Sequence, residues 1–413
     1  MRIALVARSV FPLHGYGGLE RHVYDLARAL ADRDVRVTLI TRPPAEGREW
    51  NRTSIHDRVT AEFVPYHTFP FAGRRGTTVL DRSTAYPIFG VRAGRRALDL
   101  VRRGEVDLVH GLGGSVLGYA RARAEAAAPL VLNPQGLEEF GATDPSRARL
   151  KRAAYLPLRR AVLACAAAAD AVIATDRGLE PYVVRHLKID PRKVHTIPNA
   201  LDLPALDLLT DPPLVGELRR RFAIAADEVV LLSVGRLEEN KGFHVLLHAL
   251  AALREHGAFD RRPWRSVVLG DGPYRGRLEA LARELSLGDR VRVHGRVSDA
   301  ELHAWHELAT LFVHPTLYEG SSLVTLEAMA HRRAVVASAA GGLPDKVRPG
   351  VNGWLVTPGD PGALAAAISG AIADPARLER YGRDGRAIVE REFSWRAAGD
   401  ATLALYTLLL RPQ

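Results

Sequence analysis

The sequence predicts an α/β protein of two doubly wound, parallel-sheet domains, on three observations. Short β-branched or leucine-rich runs alternate with amphipathic helical stretches along the whole chain. The alternation breaks at a proline-rich joint after Pro198 and then restarts. The 413 residues suit two domains at ~100–200 residues each, enough to bury sizeable cores.

In order, Met1–Ala7 reads as a strand, followed by the glycine loop His14–Gly18 and a helix around Glu20–Ala31. In that helix Val23, Leu26, Ala27 and Leu30 recur at helical spacing. Further strands are predicted at Val35–Thr41, Val106–His110, Leu130–Asn133, Ala171–Thr175 and Val194–Ile197. The strings Asn199-Ala-Leu-Asp-Leu-Pro204 and Thr210-Asp-Pro-Pro213 hold three prolines among turn formers and predict a linker or hinge. The second series of strands is Val229–Val234, Ser266–Leu269, Val291–His294, Leu311–His314 and Ala334–Ser338. Helices between such strands imply right-handed crossovers, with ligands at the carboxyl ends of the strands. The expected site is therefore a cleft between the domains.

Composition bounds the function. Hydrophobic residues are 47% and charged residues 25%, a globular balance that excludes wholesale disorder. The one cysteine, Cys165, excludes a disulfide framework and a cysteine-built zinc or iron–sulfur site within one chain. No apolar run approaches the ~20 residues of a membrane helix, and Met1–Val6 enters a strand with no cleavage-site pattern. A soluble, cytoplasmic protein is expected.

The net charge of +10 lies wholly in the first half: residues 1–200 carry 31 basic and 20 acidic groups, and residues 201–413 carry 26 and 27. The dense patches are Arg74/Arg75, Arg92/Arg95/Arg96/Arg102/Arg103, and a run from Arg147 through Arg149, Lys151, Arg152 and Arg159 to Arg160. Such a field attracts an anionic partner, whether lipid headgroups or a phosphorylated substrate. With only five lysines in an Ala/Arg-rich chain, biased composition is the competing explanation. Nucleic acid is the weakest option, since zinc-finger spacing, a basic zipper and an RNP-like aromatic strand are all missing from the sequence.

Four features follow predicted strands. His14-Gly-Tyr-Gly-Gly-Leu-Glu20 is a glycine turn into a helix, where free N–H groups favour an anion; it is neither a Walker loop nor the dinucleotide fingerprint. In Val234-Gly-Arg-Leu-Glu-Glu-Asn-Lys-Gly242, Arg236 and Lys241 bracket a loop–helix junction that suits a diphosphate. The string His314–Met329 carries Glu319 before a helix that Ser321 or Ser322 caps, and Glu327 inside it. A carboxylate there can accept hydrogen bonds from a ribose diol or sugar hydroxyls. Ala340-Gly-Gly-Leu-Pro-Asp345 is a fourth glycine turn. Each taken alone also fits an ordinary structural turn or a solvated surface.

Together, in this order and spacing, they resemble the retaining GT-B glycosyltransferases of family 4. The matching motifs are the Gly-Gly-x-Glu turn Gly17–Glu20, Gly-Arg-Leu…Lys-Gly, Gly270-Asp-Gly-Pro273, Gly295-Arg-Val-Ser-Asp299, the Glu-x7-Glu pair, Glu327-Ala-Met-Ala330 and Ala340–Leu343. The resemblance spans nearly the whole chain and is strongest from Val229 to Val356. It implies a GT-B fold, with two Rossmann-like domains facing across a cleft. Residues 1–200 would bind the acceptor, 201–390 the nucleotide-sugar donor, and 391–413 would cross back as a helix, with Phe393, Trp395 and Tyr406 packing on the first domain.

It also implies roles. Arg236 and Lys241 bind the donor diphosphate; Glu319 faces the transferred sugar or the phosphate-proximal end; Glu327 holds the ribose. Backbone amides of Gly320, Ser321, Ser322, Leu323 and Val324 line the sugar-diphosphate, Arg296 and Val297 contact the base, and Gly17 and Gly18 close on the diphosphate. The implied reaction moves a hexosyl group from a nucleotide diphosphate sugar to a glycan or lipid-linked acceptor with retention. It fits cell-surface polysaccharide or glycolipid synthesis, with peripheral contact at the inner face of an anionic membrane as the expectation. No metal or other cofactor is obligatory, and the one Asp-x-Asp string, Asp32-Arg-Asp34, falls in a turn.

The departures lie on the acceptor side. Leu112 stands where the family often has a histidine two residues beyond His110, and Gln135 stands where another histidine is common. His110, Glu138 and Glu139 remain as candidates to assist the acceptor hydroxyl, with Gln135 beside them. The alternatives on this scaffold are a nucleotide-sugar epimerase, a phosphorylase, or a non-catalytic nucleotide- or glycan-binding relic.

Overall fold

In the computed structural model, residues 1–15, 17–44, 49–50, 55–67, 77–135, 137–140, 153–259 and 262–411 are described. Of the residues singled out above, Tyr16, Arg74, Arg75, Arg147, Arg149, Lys151 and Arg152, and the side chain of Glu138, lie outside them. The chain divides into two compact units: unit 1 is Met1–Ala200 with Trp395–Gln413, and unit 2 is Leu201–Ser394.

Unit 1 is built on seven parallel strands: β1 (Arg2–Val6), β2 (Arg36–Thr41), β3 (Val59–Phe63), β4 (Leu108–Leu112), β5 (Leu130–Asn133), β6 (Ala171–Ala174) and β7 (Val194–Thr196). Their order is β3-β2-β1-β4-β5-β6-β7, so the winding reverses between β1 and β4. Both faces are covered: Ile3 and Leu5 enter one core, and Ala4 and Val6 enter the other. The last helix, Trp395–Leu409, packs on Gly18–Ala31. Arg33 fastens it, donating to Asp400 Oδ1 and to the Arg396 carbonyl, each at 2.7 Å.

Unit 2 repeats the plan with β8 (Val229–Val234), β9 (Trp264–Leu269), β10 (Val291–His294), β11 (Leu311–His314), β12 (Val335–Ser338) and β13 (Gly353–Val356). All are parallel, in the order β10-β9-β8-β11-β12-β13. The reversal here falls between β8 and β11. In such sheets a crevice opens at the carboxyl ends on either side of the reversal.

Four sequence expectations change. The edge strands β3 and β13 were not among the predicted strands. The Pro-rich joint is largely helical, with Leu203–Asp207 capped by Asp202 and Pro212–Arg221 capped by Asp211. Its prolines sit in first turns, where a missing N–H costs no helical hydrogen bond. The return to unit 1 begins at Trp395 rather than 391: Glu392 ends the helix Pro375–Glu392, and the Phe393 carbonyl accepts from Leu201 N at 2.8 Å. Phe393 thus belongs to the core of unit 2, whereas Tyr406 is buried in unit 1. Finally, the basic helix is partly neutralised, since Arg96 pairs with Glu62, Arg102 with Glu125 and Arg103 with Glu105. Among the described residues no helix is long and apolar enough to cross a membrane.

Unit 1 also depends on bare backbone. The helix Thr77–Arg102 meets Leu117–Arg121 so closely that a Cβ on Gly94 would lie 2.4 Å from Tyr119 N. Gly370, by contrast, is exposed inside Pro361–Ile372 with nothing within 4 Å of such an atom. Gly94→Val is expected to cost about 1–3 kcal/mol or more, and Gly370→Ala to add roughly 0.5–1 kcal/mol. Urea denaturation checks both signs, and equal midpoints for the two variants would contradict the packing argument.

Candidate active site

The site of unit 2 is assembled from the loops that leave β8, β11 and β12. After β8 the chain passes Gly235 and Arg236, makes a short turn at Glu239–Lys241 and enters the helix Phe243–Glu255 at Gly242. Gly242 has φ +66°, and a Cβ there would lie 2.0 Å from the Pro315 carbonyl oxygen. Only glycine allows both that dihedral and that approach. The two loops are laced together by Leu317 N, which donates to Asn240 O at 2.8 Å, and by Thr316 Oγ1, which donates to the same oxygen at 3.1 Å. The loop after β12 closes the set. Gly341, at φ +54°, would place a Cβ 1.6 Å from Glu319 O, and Gly342 N donates to Gly320 O at 3.1 Å.

This lacing brings together residues far apart in sequence. Lys241 Nζ donates to Glu319 Oε2 at 2.8 Å. His314, the last residue of β11, donates from Nε2 to the same oxygen at 2.8 Å. Gly320 N donates to the other oxygen at 3.2 Å. Burial opposes ionisation of Glu319, but the hydrogen bond and charge of His314, then the charge and hydrogen bond of Lys241, outweigh it. The carboxyl is pulled down to about 2. Just beyond, Ser322 caps the helix Leu323–Ala330, its Oγ accepting from Thr325 N. The amides from Gly320 to Val324 therefore stand at a helix start beside a lysine. Such a place favours an anion.

The other predicted donor-side residues fall as follows. Glu327 lies on that helix, half-buried. Arg296 is exposed and Val297 half-buried in the loop after β10. Arg236 is not gathered into the cluster. Its side chain is 76% exposed, against 18% for Lys241, and it pairs with Glu238 at 2.6 Å. In unit 1, Gly17 caps the helix Gly18–Ala31. A Cβ on Gly17 would lie 2.5 Å from Glu20 Oε2, because Glu20 folds back to accept from Ser9 Oγ at 3.0 Å.

Of the acceptor-side candidates, His110 and Glu139 are buried, Gln135 is half-buried, and the side chain of Glu138 is outside the described residues. His110 is fully buried and shares a 2.5 Å hydrogen bond with the Tyr406 hydroxyl. Burial drives its pKa down to about 3, so it packs as a neutral histidine. Glu139 is also buried. Gln135 sits in a left-handed conformation, φ +62°, with its N–H donating to Asn133 Oδ1.

Sequence reasoning missed two groups here. His314 stood in the quoted motif without a role, although a histidine closing a strand five residues before a glutamate was a usable signal. Lys346 is fully buried, its ammonium 3.3 Å from Gly342 O, 3.4 Å from Ser321 Oγ and over the Phe393 ring. Nothing in its local sequence marks it.

Residues 215–388 match the family described as glycosyl transferases group 1, and residues 16–204 match glycosyltransferase family 4. Along 405 residues the chain is 33% identical to D-inositol 3-phosphate glycosyltransferase 1 of Catenulispora acidiphila, covering 94% of this chain and 90% of that one. The chain belongs to the group 1 glycosyl transferases. The transferase is also 32% identical over 253 residues to alpha-maltose-1-phosphate synthase of Mycobacterium tuberculosis, 58% of this chain and 63% of the relative. Among solved structures, sucrose-phosphate synthase from Thermosynechococcus elongatus superposes with a TM-score of 0.73 at 26% identity, covering 99% and 98% of the two chains. The Anabaena HepE protein in complex with UDP gives 0.71 at 21% identity, covering 99% and 100%. The fold of the transferase is therefore GT-B. None of these relatives favours the epimerase, phosphorylase or relic alternatives.

The pH behaviour of Glu319 follows from its depressed pKa. The stability that its charge contributes is full above the ordinary value of 4.5 and is lost as the pH falls toward about 2. Glu319→Gln is expected to destabilise by about 3 kcal/mol, by a margin that narrows as the pH falls from 4.5 toward about 2. Urea denaturation across that acid range measures it, and a margin that does not narrow there would show that the carboxyl is not held ionised as described.

Proposed function

We propose that the transferase moves a hexosyl group from a nucleotide diphosphate sugar to a hydroxyl of a glycan or lipid-linked acceptor, with retention at the anomeric carbon. The observation that carries this reading is the Lys241–Glu319–His314 cluster beside a capped helix start at the reversal of the unit 2 sheet. Cleavage of the anomeric C–O bond leaves negative charge on the diphosphate and positive charge on the sugar carbon. Lys241 and the amides of Gly320 to Val324 are assigned to the first, held in place by the laced loops before a ligand arrives. Glu319, ionised at neutral pH, is assigned to the second and can accept from sugar hydroxyls. Glu327 is assigned to the ribose, and Arg296 and Val297 to the base.

Arg236 has a different part. Its exposed pair with Glu238 is worth little, so exchange of that carboxylate for a phosphate oxygen costs little, and Arg236 is assigned to close on the diphosphate after it arrives. In the reaction the acceptor oxygen bonds to the anomeric carbon, the carbon–phosphate oxygen bond breaks, and the acceptor proton passes to the departing diphosphate. The acceptor attacks from the leaving-group face, which gives retention. The cations and amides supply the leaving-group stabilisation, so no metal is assigned a step. We place the reaction in the cytoplasm, in cell-surface polysaccharide or glycolipid synthesis, with the excess positive charge of residues 1–200 toward anionic lipid headgroups.

Lys241→Ala is expected to lower turnover by on the order of 10²–10³-fold, with a chelator leaving wild-type turnover unchanged. Proton NMR of the product should show the donor's anomeric configuration. Near-normal turnover in folded Lys241→Ala, or an inverted product, would sink the reading. Sedimentation with vesicles should show weak binding to anionic but not neutral lipid, declining as salt rises; equal partition would remove the membrane contact.

A further inference from the structure

Unit 1 carries a second gathering of charge that the donor chemistry does not use. Arg8 lies two residues past β1, Arg42 directly follows β2, and Tyr66 lies three residues past β3. Because β3, β2 and β1 are parallel neighbours, the three residues meet at the carboxyl edge of the sheet. Ligands of doubly wound sheets bind at that edge. The Arg8 guanidinium lies 5.1 Å from the Tyr86 ring centre, and its Nη1 donates to the Tyr66 hydroxyl at 3.4 Å. The Arg42 guanidinium lies 5.4 Å from the Tyr66 ring centre. His14 fixes the spacing of the two loops, since its Nδ1 accepts from Val10 N at 3.0 Å and its Nε2 donates to Arg42 O at 2.9 Å.

Two carboxylates, Asp81 and Glu20, face the two guanidiniums, but neither pairs closely with Arg42. Arg8 has Asp81 at 3.6 Å, but Asp81 also accepts from the Tyr66 hydroxyl at 2.8 Å. Arg42 is half-buried, its Nε is buried with no hydrogen-bond partner, and among the described residues no carboxylate lies within 4.0 Å of it. Asp81 and Glu20 act on Arg42 only at longer range, and Glu20 is engaged by Ser9. Burial and the charge of Arg8 both press the Arg42 guanidinium toward losing its proton. A protein that holds two arginines side by side on aromatic faces, partly out of water, bears a cost that a shared anion relieves. Guanidinium forks match the planar edge of a phosphate.

We propose that Arg8 and Arg42 form an anion subsite on unit 1 that holds the phosphate of a phosphorylated acceptor. This deepens the transferase reading and rests on it for the word acceptor. The phosphate can belong to a soluble sugar phosphate or to a lipid-linked sugar, and the chemistry recognised is the same.

The test is calorimetry on the full chain without donor, using glucose 6-phosphate and myo-inositol 1-phosphate against glucose and myo-inositol, and vesicles with and without phosphatidylinositol. Phosphorylated probes should bind at least about tenfold more tightly than their parents. Arg8→Ala and Arg42→Ala should each remove on the order of 10–100-fold of that preference. Arg8→Lys and Arg42→Lys, which keep the charge but lose the fork, should remove part of it and keep the test readable if an alanine variant does not fold. Preference confined to soluble probes, or to vesicles, identifies the source and supports the subsite. Equal binding of sugar and sugar phosphate, or an unchanged preference in the folded variants, overturns it. Intact phosphate preference with no glycosyl transfer to any phosphorylated probe is instead the signature of a failed transferase reading.

Discussion

The ion pair between Lys241 and Glu319 joins two loops 78 positions apart in the chain, and the arrangement of unit 2 can be understood as what keeps that pair together. The strands that launch the two loops, β8 and β11, are neighbours only because the winding reverses there. The two loops then approach at backbone distance because Gly242 carries no Cβ, and the loop after β12 closes on Glu319 because Gly341 carries none. An ion pair taken partly out of water gains little net stability, since desolvation offsets most of the attraction. Its worth lies in readiness: a cation and an anion stand fixed at the strand ends before any ligand arrives.

Desolvation acts on both units with opposite results. In unit 1 His110 is buried and the ring nitrogens of half-buried His22 are enclosed, both without a charged partner, and desolvation lowers them to about 3 and about 4. They are neutral packing groups at any physiological pH. Glu319 is largely enclosed, its side chain 12% exposed, yet His314, Lys241 and an amide outweigh the desolvation and keep it charged. What sets it apart is its partners. The same criterion separates the arginine pair of unit 1, which is desolvated but under-partnered, from the many exposed arginines that find a carboxylate nearby, such as Arg192 on Asp190 and Arg383 on Glu379.

The fold was legible because its buried strands are short apolar runs between helical stretches; Val229–Val234, Val291–His294 and Leu311–His314 occupy the predicted residues. β3 was not, because an edge strand of sequence Val-Thr-Ala-Glu-Phe needs one apolar face only and leaves a weak pattern. The Pro-rich joint misled because proline signals a break inside a helix but suits its first turn. Within the site, spacing revealed which strand ends carry charge, so Lys241 and Glu319 could be named. Spacing could not reveal orientation. It gave no sign that His110 turns inward to Tyr406, that Arg236 faces solvent, or that Lys346 is wholly enclosed. Those outcomes depend on long-range packing that no local string encodes.

The placement of His314 resolves a difficulty in the proposed chemistry. If Glu319 were the sole partner of Lys241, drawing the lysine toward a diphosphate would leave a buried carboxylate uncompensated, at a cost comparable to the gain. Glu319 instead holds three donors: Lys241 and His314 on Oε2 and the Gly320 amide on Oε1. The ammonium carries three protons and can turn one toward a phosphate while the imidazole and amide retain the carboxylate. Arg236 faces no such constraint, because its partner Glu238 is a surface group that water can serve. One cation is thus fixed and shared while the other is free to be recruited, and the buried histidine at the end of β11 is what permits the sharing.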